Sequence, residues 1–438
     1  MFITIGVLCI YINNMYVFSF ATKGVWVLEQ VARHAASAAF EGQTASPYGG
    51  SCRPIGILKR IAPLPVVEPC VGIGAWRALC NMADGQYVPA FSCDSDAELK
   101  HFYECYGLGD SVRCGAKGDM FAADIHNVQA ALLICGAPCQ PFAPNGNQLG
   151  LLDERSEVLE KALEWIVELA WKGELIAFAL ENSAAIVTMQ ANPDSAILEY
   201  VIRRLEVQIS FFAIEPIVHN LHDLIPHHRT RLWIRGLRRD SMCTRKLPPP
   251  LDHTDFPHKS LVDFLDLSMP AVDLQSLSQK KKSNFAGYCA RIAADRDRGK
   301  AGSIACFDLS RGCDKQRTAP LYYDKILALR CKGTDVFMVS VNTACRIECE
   351  GLQLCRYLSM AERFALQGHD GNSAALFRTK GAAMRACGNA FAVEQMAAMV
   401  VPLLEHAYCA GTLTKDGYRR LARDEIQTLI DMKLSVSG

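Results

Sequence analysis

The 438-residue chain has no surplus of charge of either sign: Lys and Arg total 46, and Asp and Glu total 46. With a sequence pI of about 7.1, it is not a polybasic protein that coats nucleic acid by bulk charge. A neutral protein with one basic cleft remains allowed, because steering depends on the local field. Paired CxxC arrays are missing among the 19 cysteines, which excludes zinc-ribbon and zinc-finger organisation. The cysteines are odd in number and scattered, so a reduced, intracellular protein is the expectation, with most thiols serving as small core residues. No charge precedes Lys23, so the apolar run at residues 1–21 lacks the basic start of a signal peptide. Asn13 and Asn14 interrupt the run near its middle, which is costly in a membrane span. It reads as a core-packed extension or a misassigned start in preference to a signal or an anchor, which stay as alternatives. No internal repeat is found.

Half of the residues are hydrophobic and 21% are charged, enough for a sizeable core, and the length suits two or three domains. From Leu64 the chain alternates short apolar runs with amphipathic stretches. The runs are LPVVE, QYVPAFSCD, ALLICGAP, LIAFALEN and QISFFAIEPIVH, with a helical pattern at Ala75–Met82 and in SEVLEKALEWIVELAW. Near-continuous apolar runs between such helices predict buried parallel strands, hence a doubly wound α/β core. Past Arg238 the pattern breaks at Pro248-Pro249-Pro250. The stretch to about Ile347, with Lys280 to Lys282 and RIAADRDRGKAG, predicts a second, smaller and more irregular domain. The organisation reads as an extension (1–60), a catalytic domain (61–240), a recognition domain (241–375), a closing part (376–405) and a tail helix (406–438).

The first run ends at Glu68 and leads through Gly72 and Gly74 into a helix. This is a setting for a nucleotide-like ligand, since glycines let the backbone approach and helix N-termini offer unpaired N–H groups. Asp94, ending the next strand, can accept ribose hydroxyl hydrogen bonds. The third glycine of the dinucleotide fingerprint is missing, with Arg77 in its place, so a pyrophosphate is disfavoured and an adenosine cofactor without phosphates fits better. Taken alone, the turn could equally be a tight strand-to-helix connection.

Three further segments carry chemistry. Pro138-Cys139 lies in a loop after a strand, where a thiol has the exposure a thiolate nucleophile needs. Glu181-Asn182-Ser183 closes the next apolar run. Arg229 and Arg231, in HHRTRLWIRG, alternate at the start of a strand, where fixed cations can hold a polar ring edge or a phosphate. Each alone has a structural reading: a packed loop cysteine, a capping acid, a solvated basic turn. Their order along the chain is hard to explain as structure only.

With these segments the sequence resembles the cytosine-5 DNA methyltransferases over roughly Val66 to Val401. GAPCQPF is similar to that family's catalytic loop, ENS to its Glu-Asn-Val motif, and HHRTRLWIRG to its Gln-x-Arg-x-Arg motif. RYLSMAERFALQGH resembles the motif that orients the recognition domain, and GNAF (Gly388 to Phe391) the closing motif that returns to the cofactor. Gly118-Asp119 resembles the step whose acid reads the adenine amino group.

The resemblance implies a Rossmann-like methyltransferase domain with a smaller target-recognition domain, S-adenosyl-L-methionine as cofactor, double-stranded DNA as partner and no metal. A monomer without a membrane partner, nuclear if the source is eukaryotic, is expected. Cys139 would be the nucleophile that adds to cytosine C6. Glu181 would hydrogen-bond N3 and the exocyclic amine, and Arg229 and Arg231 would hold O2. Glu68, Gly72, Gly74, Asp94, Asp119, Pro138 and Asn389 would line the cofactor site. The base must leave the stack, with Gln140 to Arg155 as the closing loop. Lys280 to Lys282 and Arg291 to Lys300 are candidates for phosphate contacts, with a solvated loop an equal reading.

Departures from the family pattern are Cys70 in place of an aromatic, His227 in place of glutamine, Asn147 and Leu149 in place of loop cations, Ala143 in place of serine and Ser183 in place of valine. They bear on affinity, loop dynamics and rate more than on the reaction. The short recognition domain argues for a short site or weak specificity. No reader module precedes the catalytic region, which argues against a large maintenance enzyme. One alternative is a tRNA cytosine-5 methyltransferase, whose Cys-Phe-Thr segment is absent because Asp308 follows Cys306-Phe307. Another is a catalytically silent nucleic-acid-binding scaffold of the same fold.

Overall fold

In the computed structural model the described residues are 7–12, 15–20, 53–144, 146–192, 195–313, 320–330, 336–341 and 354–437. Within the N-terminal apolar run, Val7–Ile12 pairs antiparallel with Met15–Phe20. The boundary expected near Ile347 lies outside the described residues.

The apolar runs become the strands of one seven-stranded sheet. These are β1 (Pro65–Pro69), β2 (Val88–Asp94), β3 (Val112–Cys114), β4 (Leu132–Gly136), β5 (Ala177–Ser183), β6 (Phe212–Asn220) and β7 (Thr230–Arg238). Their order across the sheet is β6-β7-β5-β4-β1-β2-β3. Only β7 runs against its neighbours, antiparallel to both β5 and β6. All seven residues of β5 are buried, as expected of a central strand covered on both faces.

Two helical layers do the covering. On one face pack α1 (Ala75–Met82) and the later α8 (Val393–Cys409), whose Trp76, Leu79, Met396, Val400 and Leu404 join Ile134 and Trp233. On the other lie α3 (Glu157–Trp171) and α4 (Ile197–Gln208). There Leu159, Leu163, Ile166 and Leu169 recur at helical spacing and meet Leu133, Phe178 and Leu205. The helical stretch Lys380–Cys409 is apolar and long enough to cross a bilayer by composition alone, but here it is largely buried within the protein. A further helix of this half, α2 (Glu98–Cys105), carries Phe102 and Tyr103 beneath the glycine turn.

The stretch read as irregular contains regular structure. Helix α5 (Gln279–Asp297) lies over a four-stranded antiparallel sheet. Its strands are β8 (Ile304–Asp308), β9 (Leu321–Tyr323), β10 (Val336–Ser340) and β11 (Cys355–Tyr357), ordered β9-β8-β10-β11. Period-two alternation is lacking because every residue of β8 and β10 is buried, while β9 and β11 are only three residues long. Tyr288 of α5 stacks on Phe307 at 4.1 Å. After β11 come α6 (Met360–Ala365) and α7 (Lys380–Asn389), which return the chain to the catalytic domain. Arg356 and Glu362 form a buried two-point pair at 2.6 and 2.9 Å, and Arg356 also donates to the Asp266 carbonyl, fixing that return.

Glu68 closes β1 facing inward. It is 2% exposed and accepts hydrogen bonds from Tyr87 at 2.5 Å and Ser92 at 3.5 Å. Burial pushes its carboxyl up to about 7, against the lowering influence of Tyr87 and Arg77. A folded value above the unfolded one means that its stabilisation is complete below about pH 4.5 and is lost as pH rises through 7. Glu68→Gln removes that loss. Between pH 5 and pH 8, the native protein should lose about 3 kcal/mol relative to the variant, measurable by denaturant unfolding at both values.

Candidate active site

The carboxyl ends of parallel strands form the crevice of a doubly wound sheet. Here β4 delivers Ala137-Pro138-Cys139 and β5 delivers Glu181-Asn182-Ser183 to that edge. Because β7 runs the other way, its first residues reach the same edge, with Arg231 opposite Ser183 and Trp233 opposite Glu181. The reversed strand thus puts cations where the parallel strands put a thiol and an acid.

Asn182 ties the two parallel strand ends together. Its Nδ2 donates to the Ala137 carbonyl at 3.3 Å, and its Oδ1 accepts the Ser183 amide at 2.7 Å. Cys139 is half-buried and opens a turn, its carbonyl accepting the amides of Phe142 at 3.0 Å and Ala143 at 2.7 Å. Phe142, fully buried, anchors this turn in the core. At the far end of the loop, Arg155 holds Asp153 through two contacts, 2.8 and 2.6 Å. Between these anchors Leu149 and Leu152 are exposed, the latter by 88%. Behind the loop, Gly136 is required by close approach: a Cβ there would lie 2.6 Å from the Phe391 ring. Phe391, in the closing segment, also packs on Trp233 of β7 at 5.6 Å.

The charges are arranged asymmetrically. Arg231 Nε lies 2.7 Å from Glu181 Oε1, whereas Arg229 Nη2 lies 4.0 Å away. Arg229 is 3% exposed and donates to the carbonyls of Ala390 at 2.7 Å and Gly388 at 3.4 Å. It therefore straps the closing segment to the site, and Arg231 is the more open of the pair. Burial and then Arg231 bring the Arg229 guanidinium down to about 10, while Glu181 and Cys139 act in the opposite sense. Arg155 is raised chiefly by Asp153, with a smaller contribution from Cys139. Cys139 thus acts on the charge of both Arg229 and Arg155. His227 is fully buried, donates through Nδ1 to the Leu366 carbonyl at 3.0 Å, and is lowered to about 3 by burial and then Arg229. It is a neutral strut. Ser183, at the position of the family's valine, accepts the Ala185 amide at 3.3 Å and caps the next turn.

The glycine turn lies on the same sheet edge. Gly72 and Gly74 have φ of 55° and 72°, values that glycine adopts without strain. Asp94 accepts the amides of Gly72 and Asp96, each at 2.9 Å, and Tyr103 donates to the Gly72 carbonyl at 3.0 Å. Burial raises the Asp94 carboxyl and these amides lower it. The closing segment reaches the turn as well: a Cβ at Gly72 would sit 3.9 Å from the Ala390 Cα, so the neighbouring Asn389 lies beside the turn. Asp119 is exposed and accepts the Phe121 amide at 3.0 Å. Arg77, where a third glycine would stand, folds behind the turn, 3.9 Å from the Tyr106 ring centroid. Glu68, by contrast, points to Tyr87 and Ser92 below the edge. Cys70 has a φ of 57°, and its thiol is pushed well up by the adjacent Cys135 and by burial. The turn and the acid at the next strand end form a setting that suits an adenosine-bearing cofactor. Among the described residues no His, Cys, Asp or Glu group is arranged to hold a metal ion.

Fold and site together define a Rossmann-like methyltransferase with an appended recognition lobe. Residues 65–403 match the family profile of C-5 cytosine-specific DNA methylases, and the chain belongs to this family. The family takes its methyl group from S-adenosyl-L-methionine. Type II methyltransferase M.NlaX of Neisseria lactamica is 24% identical over 264 residues, covering 59% of this chain and 76% of that protein. Orphan methyltransferase M.SPRI of Bacillus phage SPR is 22% identical over 218 residues, covering 49% of this chain and 47% of its own. Among solved structures, a DNMT2 mutant of Spodoptera frugiperda is similar at 14% identity and a TM-score of 0.49, over 77% of this chain and 99% of that one.

The Asn182 tie and the Arg229 strap leave no trace in the sequence, because both bind backbone carbonyls that carry no residue signature. Asn182→Ala removes two buried bonds, each worth about 1 kcal/mol, and loosens the Cys139 turn. It should lower kcat about tenfold while nucleic-acid affinity stays within about twofold, as single-turnover rates and equilibrium binding would report.

Proposed function

We propose that this protein methylates C5 of cytosine in DNA through a transient bond between Cys139 Sγ and ring carbon C6. The reading is carried by one arrangement: a carboxylate, Glu181, paired with Arg231 at 2.7 Å and flanked by Arg229, on the strand end next to the Cys139 loop. Cytosine C5 is a poor nucleophile, and thiolate addition at C6 makes C5 enamine-like. S-adenosyl-L-methionine, when bound, supplies an electrophilic methyl group. Glu181 accepts from the exocyclic amine and from the N–H formed as N3 takes up a proton during addition at C6, stabilising the ring as charge develops there. Arg231 orients Glu181 and reaches O2, and Arg229 fixes the closing segment and lends its charge to the thiolate. Loss of the C5 proton and cleavage of the C6–S bond restore the aromatic ring and free Cys139. The target atom is hidden inside a duplex, so the base is extruded, and the loop from Gln140 to Arg155 closes over it.

DNA is favoured over tRNA by Cys306-Phe307-Asp308, the place where a Cys-Phe-Thr segment would be sought. All three residues are buried in β8, so they present nothing to an RNA. Duplex DNA and tRNA assayed side by side with labelled methyl donor should label the DNA, and bisulfite sequencing should then give the context. Label in tRNA alone would overturn the choice of substrate. Cys139→Ser should fold and lose methyl transfer, and near-normal turnover would sink the covalent scheme. Glu181→Gln should slow transfer about 100-fold or more with DNA binding retained.

A further inference from the structure

The loop between β6 and β7 ends at Arg229, and its outer side carries a second set of groups. Asn220 braces the loop, its Oδ1 accepting the amides of Arg229 at 3.0 Å and His222 at 3.2 Å. The recognition lobe joins it through a short bridge: the Ile326 amide donates to the Pro226 carbonyl at 2.9 Å, and the His228 amide to the Ile326 carbonyl at 2.8 Å. That bridge sets Tyr322 and Lys325 of the lobe against His222 and His228 of the catalytic domain. The His228 ring stacks on Tyr322 with centroids 5.0 Å apart and planes 19° apart. Lys325 Nζ lies 5.9 Å from the Tyr322 centroid and donates to His222 Nε2 at 3.1 Å.

Three groups able to carry positive charge therefore converge where the two lobes meet, and all are at least partly exposed. The acid facing them is Asp223, 4.0 Å from His222 Nδ1 with a side chain 63% exposed. Burial and then Lys325 lower both histidines, Asp223 opposes in each case, and His228 further lowers His222. His227, the adjoining histidine, is buried and neutral. Adding a second or third positive charge beside Lys325 is unfavourable in the free protein, and the backbone bridge already joins the lobes without these side chains. An anion reverses the balance, since it attracts all three and favours protonation of both rings.

We propose that His222, His228 and Lys325 form a clamp for a backbone phosphodiester of the nucleic-acid substrate, placed one residue from the Arg229–Glu181 site. The clamp rests on the nucleic-acid reading above and adds to it a named contact and a pH dependence. Phosphate contacts fix register and carry no sequence information. The clamp therefore positions a strand beside the extruded nucleotide for any sequence. A proton is taken up on binding, so affinity rises as pH falls towards 6.

Fluorescence anisotropy of the full chain with a labelled duplex DNA, and separately a duplex RNA, tests this between about 50 and 200 mM salt. Lys325→Gln should weaken binding several-fold and reduce the slope of log affinity against log salt by about 1, while Lys325→Arg keeps both. His222→Gln with His228→Gln should keep the affinity at pH 7.5 and lose the gain at pH 6. Unchanged slope in Lys325→Gln, or an acid gain persisting without the histidines, would overturn the clamp. Methyl transfer measured on the same preparations separates the two readings. Normal methylation with an unaltered slope removes the clamp alone, whereas no binding and no methylation by the native chain removes both. Unfolding midpoints matching the native chain would show that a loss of binding is not a loss of fold.

Discussion

The site depends on a buried carboxylate that has to be paired. Glu181 is 8% exposed at the end of a central strand, where an unpartnered charge would be costly. Strand reversal supplies the partner. Because β7 alone runs antiparallel, the sheet edge that receives the carboxyl ends of β4 and β5 also receives the amino end of β7, and Arg231 arrives 2.7 Å from Glu181. Were β7 parallel, its arginines would emerge at the opposite edge. The direction of one strand and the charge of one side chain are thus a single requirement.

Much of this was legible from residue order. The strands of the first half announce themselves as apolar runs because both sheet faces are covered, and Ala75–Met82 was readable as a helix from its pattern and the glycines before it. The segments carrying Cys139, Glu181 and Arg231 could be placed at strand ends for the same reason. The recognition lobe was less legible. Full burial of β8 and β10 erased alternation, and the basic run at Lys280 to Lys282 looks like a loop although it opens α5. Side-chain roles that end on backbone carbonyls were invisible. Arg229 resembled a second ring-binding cation, yet its guanidinium is committed to Gly388 and Ala390. Glu68 stood beside the glycine turn in sequence, yet it faces Tyr87.

The departures from the family pattern find structural employment. His227 spans to the Leu366 carbonyl, a contact that needs a ring N–H donor and no charge. Leu149 and its neighbour Leu152 leave the loop apolar and exposed, so any cationic help at its far end comes from Arg155, itself engaged by Asp153.

The contact between Gly136 and Phe391 joins residues 255 positions apart in the chain. The strand that leads to the thiol is thus backed by a ring that the ribosome adds long afterwards, and the guanidinium of Arg229 waits on carbonyls made in the same late stretch. A nascent chain can close most of its sheet early and still lack both of these late contacts.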